Sequence, residues 1–168
     1  MPRRTAYLLA FICALIILGS QCVFFVHQTQ KALILQLGKP IGAVLTPGLH
    51  FKVPFFQNVI PLDARILDYE ARKADTLTSD KKTIVLDNYA RWRIIDPLLF
   101  YQAVRTTDAA HSRLVDIIYS QLRAQVGRYT MTEVISTKRS EIMKIVTERC
   151  SEQAKAYGIE VVDVRIKR

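Results

Sequence analysis

An α+β fold carried behind a single N-terminal membrane-spanning helix is the architecture predicted for this 168-residue chain. Three observations predict it. The first is a run without a charge from Ala6 to Val26. The second is the order that follows, with strands first, helices next and one strand returning at the end. The third is the lack of the strand–helix alternation that a doubly wound sheet requires. The organisation read from these is a short tail at 1–5, a transmembrane helix at 6–26 and one domain of antiparallel strands, helices and a closing strand at 27–168.

The apolar run is 21 residues long. At about 1.5 Å per residue it reaches roughly 31 Å, the thickness of a bilayer's hydrocarbon core. Its predicted lipid-facing residues are Ala6, Tyr7, Leu8, Leu9, Phe11, Ile12, Leu15, Ile16, Ile17, Leu18, Val23, Phe24, Phe25 and Val26. The run exceeds the short apolar stretch of a cleaved signal peptide and the usual length of a buried core helix. Arg3 and Arg4 before it are matched by Lys31 and Lys39 behind it, so charge alone does not orient it strongly.

Behind the run, Lys31 to Leu37 reads as a strand with Leu33, Leu35 and Leu37 on one face, stopped at Gly38-Lys39-Pro40. Leu49 to Val53, after the turn at Pro47-Gly48, is its expected hairpin partner. Asn58 to Arg65 is extended, and Pro61 restricts it to an edge or a bulge. The clearest strand is Thr83 to Ile95: Ile84, Leu86, Ala90, Trp92 and Ile94 share one face, interrupted by Asn88. Asp96-Pro97 is a cap followed by proline at the first helical position. A longer helix capped at Asp108 carries Leu114, Ile118, Leu122 and Val126 and ends at Gly127. Thr130 to Glu133 has capping-box spacing. A last helix from about Lys138 bears Ile142, Ile145, Val146, Cys150 and Ala154, ends at Gly158, and precedes the strand Ile159 to Ile166.

Composition narrows the function. Net charge is +9, and with Arg3 and Arg4 set aside, 22 basic and 15 acidic residues leave +7 behind the apolar run. The basic residues are scattered among acids and no zinc spacing, recognition helix or RNA-binding aromatic signature accompanies them, so nucleic acid is not an expected partner. No cofactor or metal is expected: His27, His50 and His111 lack ligand spacing, and no phosphate-cradling glycine loop, Gly-x-Ser-x-Gly elbow or His-Glu-x-x-His helix is present. Cys13, Cys22 and Cys150 form no disulfide framework, and Cys150 reads as a helix-packing residue. Arg91 and Arg93, flanking Trp92, have two readings, a contact surface or cross-strand ion pairs, and the structural one is taken by default. Phe51, Phe55 and Phe56 around Pro54 have two readings: core packing, or contact with the membrane headgroup region or a neighbouring subunit.

Four segments in order resemble one known family. They are Pro47-Gly48-Leu49-His50-Phe51-Lys52-Val53-Pro54-Phe55, then Leu62-Asp63-Ala64-Arg65, then Val85 to Pro97, and finally Gly158 to Arg168. Together they resemble the prohibitin, stomatin, flotillin and HflK/HflC (SPFH, band 7) group, and its HflC branch in particular. The resemblance implies a single-pass protein of the bacterial inner membrane, N-terminus in the cytoplasm and domain in the periplasm. It implies an HflK-like partner subunit, homo- or hetero-oligomeric assembly, and restraint of a membrane-bound ATP-dependent protease of the FtsH type. It supplies no catalytic residue. The family continues past the Val-Asp-Val-Arg-Ile-Lys motif into a long coiled-coil region that closes rings, whereas this sequence stops at Arg168, so monomers or small oligomers are expected in detergent.

The leading expectation is therefore a scaffold subunit that modulates proteolysis and is not itself an enzyme. Two alternatives remain from the residues. One is a membrane-associated hydrolase using Ser79, Ser112, Ser136 or Cys150, for which no base and orienting partner are evident. The other is a lipid-binding module built on the +7 charge and the Phe51–Phe56 segment.

Overall fold

The computed structural model describes residues 22–41, 44–70 and 73–167. Residues 6–21 of the expected membrane helix lie outside them. No helix among the described residues is long and apolar enough to cross a membrane. The chain folds as two units, one ending at Ala64 and the other beginning at Arg65.

In the first unit, β1 (Val23–Val26) pairs antiparallel with β4 (Gly48–Phe51), Val23 opposite Phe51 and Phe25 opposite Leu49. This corrects two expectations. Val23, Phe24, Phe25 and Val26 belong to a strand and not to the end of the helix; β-branched and aromatic residues in a row suit an extended pairing surface as well as a lipid one. Gly48–Phe51 is also the partner of β1 and not of the next strand. That strand, β2 (Gln30–Gln36), pairs instead with β5 (Gln57–Asp63) and with the two-residue β3 (Lys39–Pro40).

Leu33 and Leu35 of β2 are buried, as the alternation predicts, but Leu37 is exposed. Gln36 pairs with Lys39, so Leu37 and Gly38 form a two-residue hairpin loop, both with positive φ (50° and 82°). Such a loop turns the strand before Leu37 reaches the core face. Pro61 sits opposite Ala32, whose own N–H and C=O bond to Leu45 at 3.2 and 2.9 Å. At that position β2 directs no hydrogen bond toward β5, and the proline's missing donor costs nothing.

In the second unit, β6 (Leu67–Glu70), β9 (Asn88–Ile94) and β10 (Ile159–Ile166) form one antiparallel sheet in the order β10-β9-β6; β7 (Ala74–Leu77) and β8 (Thr83–Leu86) form another. The expected strand from Thr83 to Ile95 is thus divided at Asp87, and its partners β6 and β7 lie in a segment that reads as polar. Asn88, the interruption in the apolar face, is buried at the break, and its Oδ1 has no protein partner. Arg91 meets Asp163 at 3.2 Å and Arg93 meets Glu160 at 2.5 Å across the β9–β10 register, as expected. These exposed pairs contribute at most about 1 kcal/mol each.

Helix α1 (Pro97–Ala103) starts under Asp96, whose Oδ1 accepts the amides of Leu98 and Leu99 at 3.0 Å. Helix α2 (Thr107–Val126) is capped by Thr106, which accepts from Ala109 at 3.2 Å, and not by Asp108. Asp108 occupies the first turn, where its charge favours the helix dipole. Leu114, Ile118, Leu122 and Val126 form one buried row. Full burial of such a side chain contributes about 1.5–3 kcal/mol. The Glu133 half of the Thr130–Glu133 box forms, with Glu133 Oε2 accepting both the amide and the hydroxyl of Thr130 at 2.8 Å. It opens a π-helical turn, Glu133–Thr137, before α3 (Arg139–Ala154). Ile142, Val146, Cys150 and Ala154 of α3 are buried.

Helix α3 also covers the outer edge of β10. Thr147 Oγ1 donates to Met143 O at 2.8 Å and accepts the amide of Val164 at 3.1 Å, and Arg139 Nη2 donates to the Ile166 carbonyl at 2.7 Å. An edge strand is thereby kept from open pairing. At the other end, a 3-10 turn, Lys155–Tyr157, leads to Gly158 at φ 69°. The Gly158 carbonyl accepts the amides of Ile95 (3.0 Å) and Asp96 (3.2 Å).

Two outcomes are expected. A Cβ at residue 158 would lie 2.8 Å from Phe100 N and closer still to Asp96 O. Gly158→Ala therefore combines a strained φ with backbone overlap, and chemical denaturation should show a loss of at least about 2 kcal/mol.

The β7–β8 turn is tied to the start of the capping box: Asp80 Oδ1 accepts from Thr78 Oγ1 (2.5 Å) and from the Met131 amide (3.2 Å). The Thr78 hydroxyl first, and the Thr130 amide first for Glu133, hold the Asp80 and Glu133 carboxyls below the usual carboxylate range. Their ionised forms favour the folded state, a contribution present above the unfolded carboxylate range of about 4 and lost as pH falls through the lower folded values. Thermal melts between pH 7 and pH 3 should lose less midpoint in Asp80→Asn/Glu133→Gln than in the parent.

Candidate functional site

Directly opposed residues of an antiparallel pair share a face. The β1–β4 register therefore puts Val23, Phe25, Leu49 and Phe51 on one side of a two-stranded ribbon, and all four are exposed. The other side carries Phe24, Val26 and His50; the Phe24 and His50 rings lie 5.9 Å apart, and His50 Nε2 donates to the Thr46 carbonyl at 2.7 Å. The ribbon is thus held from behind and bare in front.

The loop after β4 enlarges the bare face. Val53, Phe55 and Phe56 are exposed, with Phe51, Phe55 and Phe56 at 72, 87 and 59%. Of the two readings of these phenylalanines, core packing is excluded within their own unit. Phe55 has φ 68°, a backbone conformation uncommon for an aromatic residue. The loop is pinned by Val53 N to Gln57 Oε1 at 2.8 Å and by Gln57 N to Val53 O at 3.1 Å. A third bond, Leu37 N to Phe56 O at 3.3 Å, brings the exposed Leu37 beside it.

Seven large apolar side chains in one ribbon and its loop, with Lys52 the one charged residue in that segment, exceed the scattered apolar exposure of an ordinary soluble surface. The described part of the unit carries Lys31, Lys39 and Lys52 against one acid, Asp63. Sequence reading singles out Phe51, Phe55 and Phe56, assigns Val23 and Phe25 to the membrane helix instead of to this ribbon, and does not single out Leu49. Their two-residue alternation is hidden because Val23 and Phe25 continue an apolar run that already has a helical explanation.

The other singled-out residues are not brought together. Ser112 and Ser136 donate to the carbonyls of Asp108 and Thr132, four residues earlier in their own helical turns. Cys150 is buried, and burial pushes its thiol up to about 12, the wrong direction for a nucleophile. His111 packs against Tyr69, ring centroids 4.4 Å apart, and burial followed by the Asp116 carboxylate raises the Tyr69 phenol to about 12.

Comparison with known proteins fits this geometry. The chain is 33% identical to Protein HflC of Buchnera aphidicola subsp. Schizaphis graminum over 94% of its length and 59% of that protein's. It is 29% identical to Protein HflC of Haemophilus influenzae, over 99% of this chain and 59% of the other. It is 27% identical to the Modulator of FtsH protease HflC of Escherichia coli K12, over 95% and 62%. The chain thus spans about three fifths of the length of these relatives. Residues 24–168, both units together, match the SPFH domain / Band 7 family, and the chain belongs to that family.

Proposed function

We propose that this chain is a membrane-anchored scaffold subunit, without catalysis of its own, that modulates a membrane-bound ATP-dependent protease of the FtsH type together with an HflK-like subunit. The observation that carries the reading is the similarity along nearly the whole chain to proteins named HflC, one of them a modulator of FtsH protease. The exposed apolar ribbon supports the membrane part. It begins at Val23, inside the apolar run Ala6 to Val26, so a helix formed by the earlier part of that run and held in the bilayer would deliver Phe25, Phe51 and Phe55 to the headgroup layer. In this reading the protein lies in a bacterial inner membrane with its N-terminus inside and the domain on the periplasmic side.

Affinity capture of the intact chain from detergent-solubilised native membranes should recover an HflK-like subunit or an FtsH-like protease. Recovery of neither would count against the scaffold role.

The membrane contact has its own readout. In proteoliposomes, Phe55→Trp should be quenched by brominated acyl chains, whereas Trp92, buried in the other unit, provides the unquenched baseline. Emission no more quenched than that of the parent would assign the ribbon to a neighbouring subunit instead.

A further inference from the structure

Among the described residues, Leu37 and Phe55 are the most exposed large apolar side chains, at 81 and 87%. Both have positive φ, 50° and 68°. That conformation suits glycine and asparagine and is strained for a bulky side chain. Leu37 and Gly38 make up the loop between the paired residues Gln36 and Lys39, and with φ positive at both positions the turn is type I′. Asn-Gly is the sequence such a turn favours. Leucine at position 37 thus strains the turn and stays out of the core, a combination that points to a contact outside the fold.

The two tips are neighbours, because Leu37 N donates to Phe56 O at 3.3 Å. Charge is sorted along the same unit. Lys39 closes the Leu37 turn, and Lys52 stands between Phe51 and Val53. Neither lysine takes part in an ion pair among the described residues. The one acid in the described part of the unit, Asp63, pairs with Gln30 at the far end of the β2–β5 ladder. That is roughly 20 Å of strand away from Gln57, at which the Phe55–Phe56 loop ends.

We infer that Leu37 and Phe55 form a two-pronged apolar tip that enters the bilayer between anionic phospholipid headgroups, whose charge Lys39 and Lys52 meet. This rests on the membrane contact proposed for the ribbon, and adds to it a second point of entry and a class of lipid. Lysine suits the position, since its apolar stem follows the neighbouring side chains inward while its ammonium group stays at the level of the phosphates. A second copy of the same tip is a poorer occupant, because it would set these cations against their own kind.

The test uses the full chain in phosphatidylcholine vesicles that hold a minor fraction of brominated lipid. In Leu37→Trp and in Phe55→Trp, emission should be quenched beyond the baseline of Trp92, the one native tryptophan. Brominated phosphatidylglycerol should quench about twofold more than brominated phosphatidylcholine at the same fraction. High salt, or Lys39→Gln/Lys52→Gln, should bring the two lipids level and leave the quenching itself in place. In micelles, Leu37→Asn should unfold at the same denaturant concentration as the parent or a higher one, because Asn-Gly suits the turn. Quenching of Phe55→Trp without quenching of Leu37→Trp would overturn the inference and leave the ribbon's membrane contact standing, whereas quenching of neither would remove both. Equal quenching by the two lipids at low salt would overturn the headgroup assignment, and a lower midpoint in Leu37→Asn would show that Leu37 serves the fold instead.

Discussion

The second unit depends on one close approach of backbone to backbone, at Gly158. Its left-handed conformation ends the long descent of α3, and its carbonyl takes the amides of Ile95 and Asp96, the residues at which β9 stops and the cap of α1 begins. Three directions of chain are fixed by one residue without a side chain. The register of β10 on β9 starts at the neighbouring pair, Ile159 with Ile94, so the partners down to Trp92 follow from this contact, and a one-residue shift between Val161 and Asp163 resets the pairing from Arg91 to Asn88. Trp92, Phe100 and Ile159 are among the residues whose burial drives the unit together, and the glycine supplies the geometry in which Ile159 and Phe100 approach.

Much of this unit was legible in the sequence because its signals are local. The Asp96-Pro97 cap, the four-residue spacing of Leu114, Ile118, Leu122 and Val126, the Thr130–Glu133 box and the glycine stop at 158 each act within one turn of chain. The α+β order follows from them. What local signals do not carry is partnership. Gly48–Phe51 reads as a strand, but whether it joins β1 or β2 is decided by the closure of the Leu37-Gly38 loop, which sends β2 to β3 and β5. Strands β6 and β7 are short and half polar, and they are defined only by the partner strand each lies beside.

The candidate site was half legible for the same reason. A phenylalanine beside a proline in a loop announces itself, and Phe51, Phe55 and Phe56 do so. Phe25 and Leu49 join them through a register 24 residues apart in sequence, which no periodicity within a single segment reveals. The same loop is one of the four segments that carry the family resemblance, so a stretch conspicuous as a motif is also the stretch that leaves its apolar residues in the open.

The single hydroxyl of Thr147 has a mechanical meaning. Its proton is committed to the Met143 carbonyl of its own helix and its lone pair to the Val164 amide of the strand, so the polarity of the link is fixed. Val164 is fully buried, and sliding α3 along β10 by even one residue would strand that amide in an apolar interior. The helix and the strand are therefore locked in gear, like a rack to its pinion. A pull or twist applied to either one is handed to the other without slack, and a load entering at the end of β10 reaches the foot of α3 as rigid displacement rather than as local fraying.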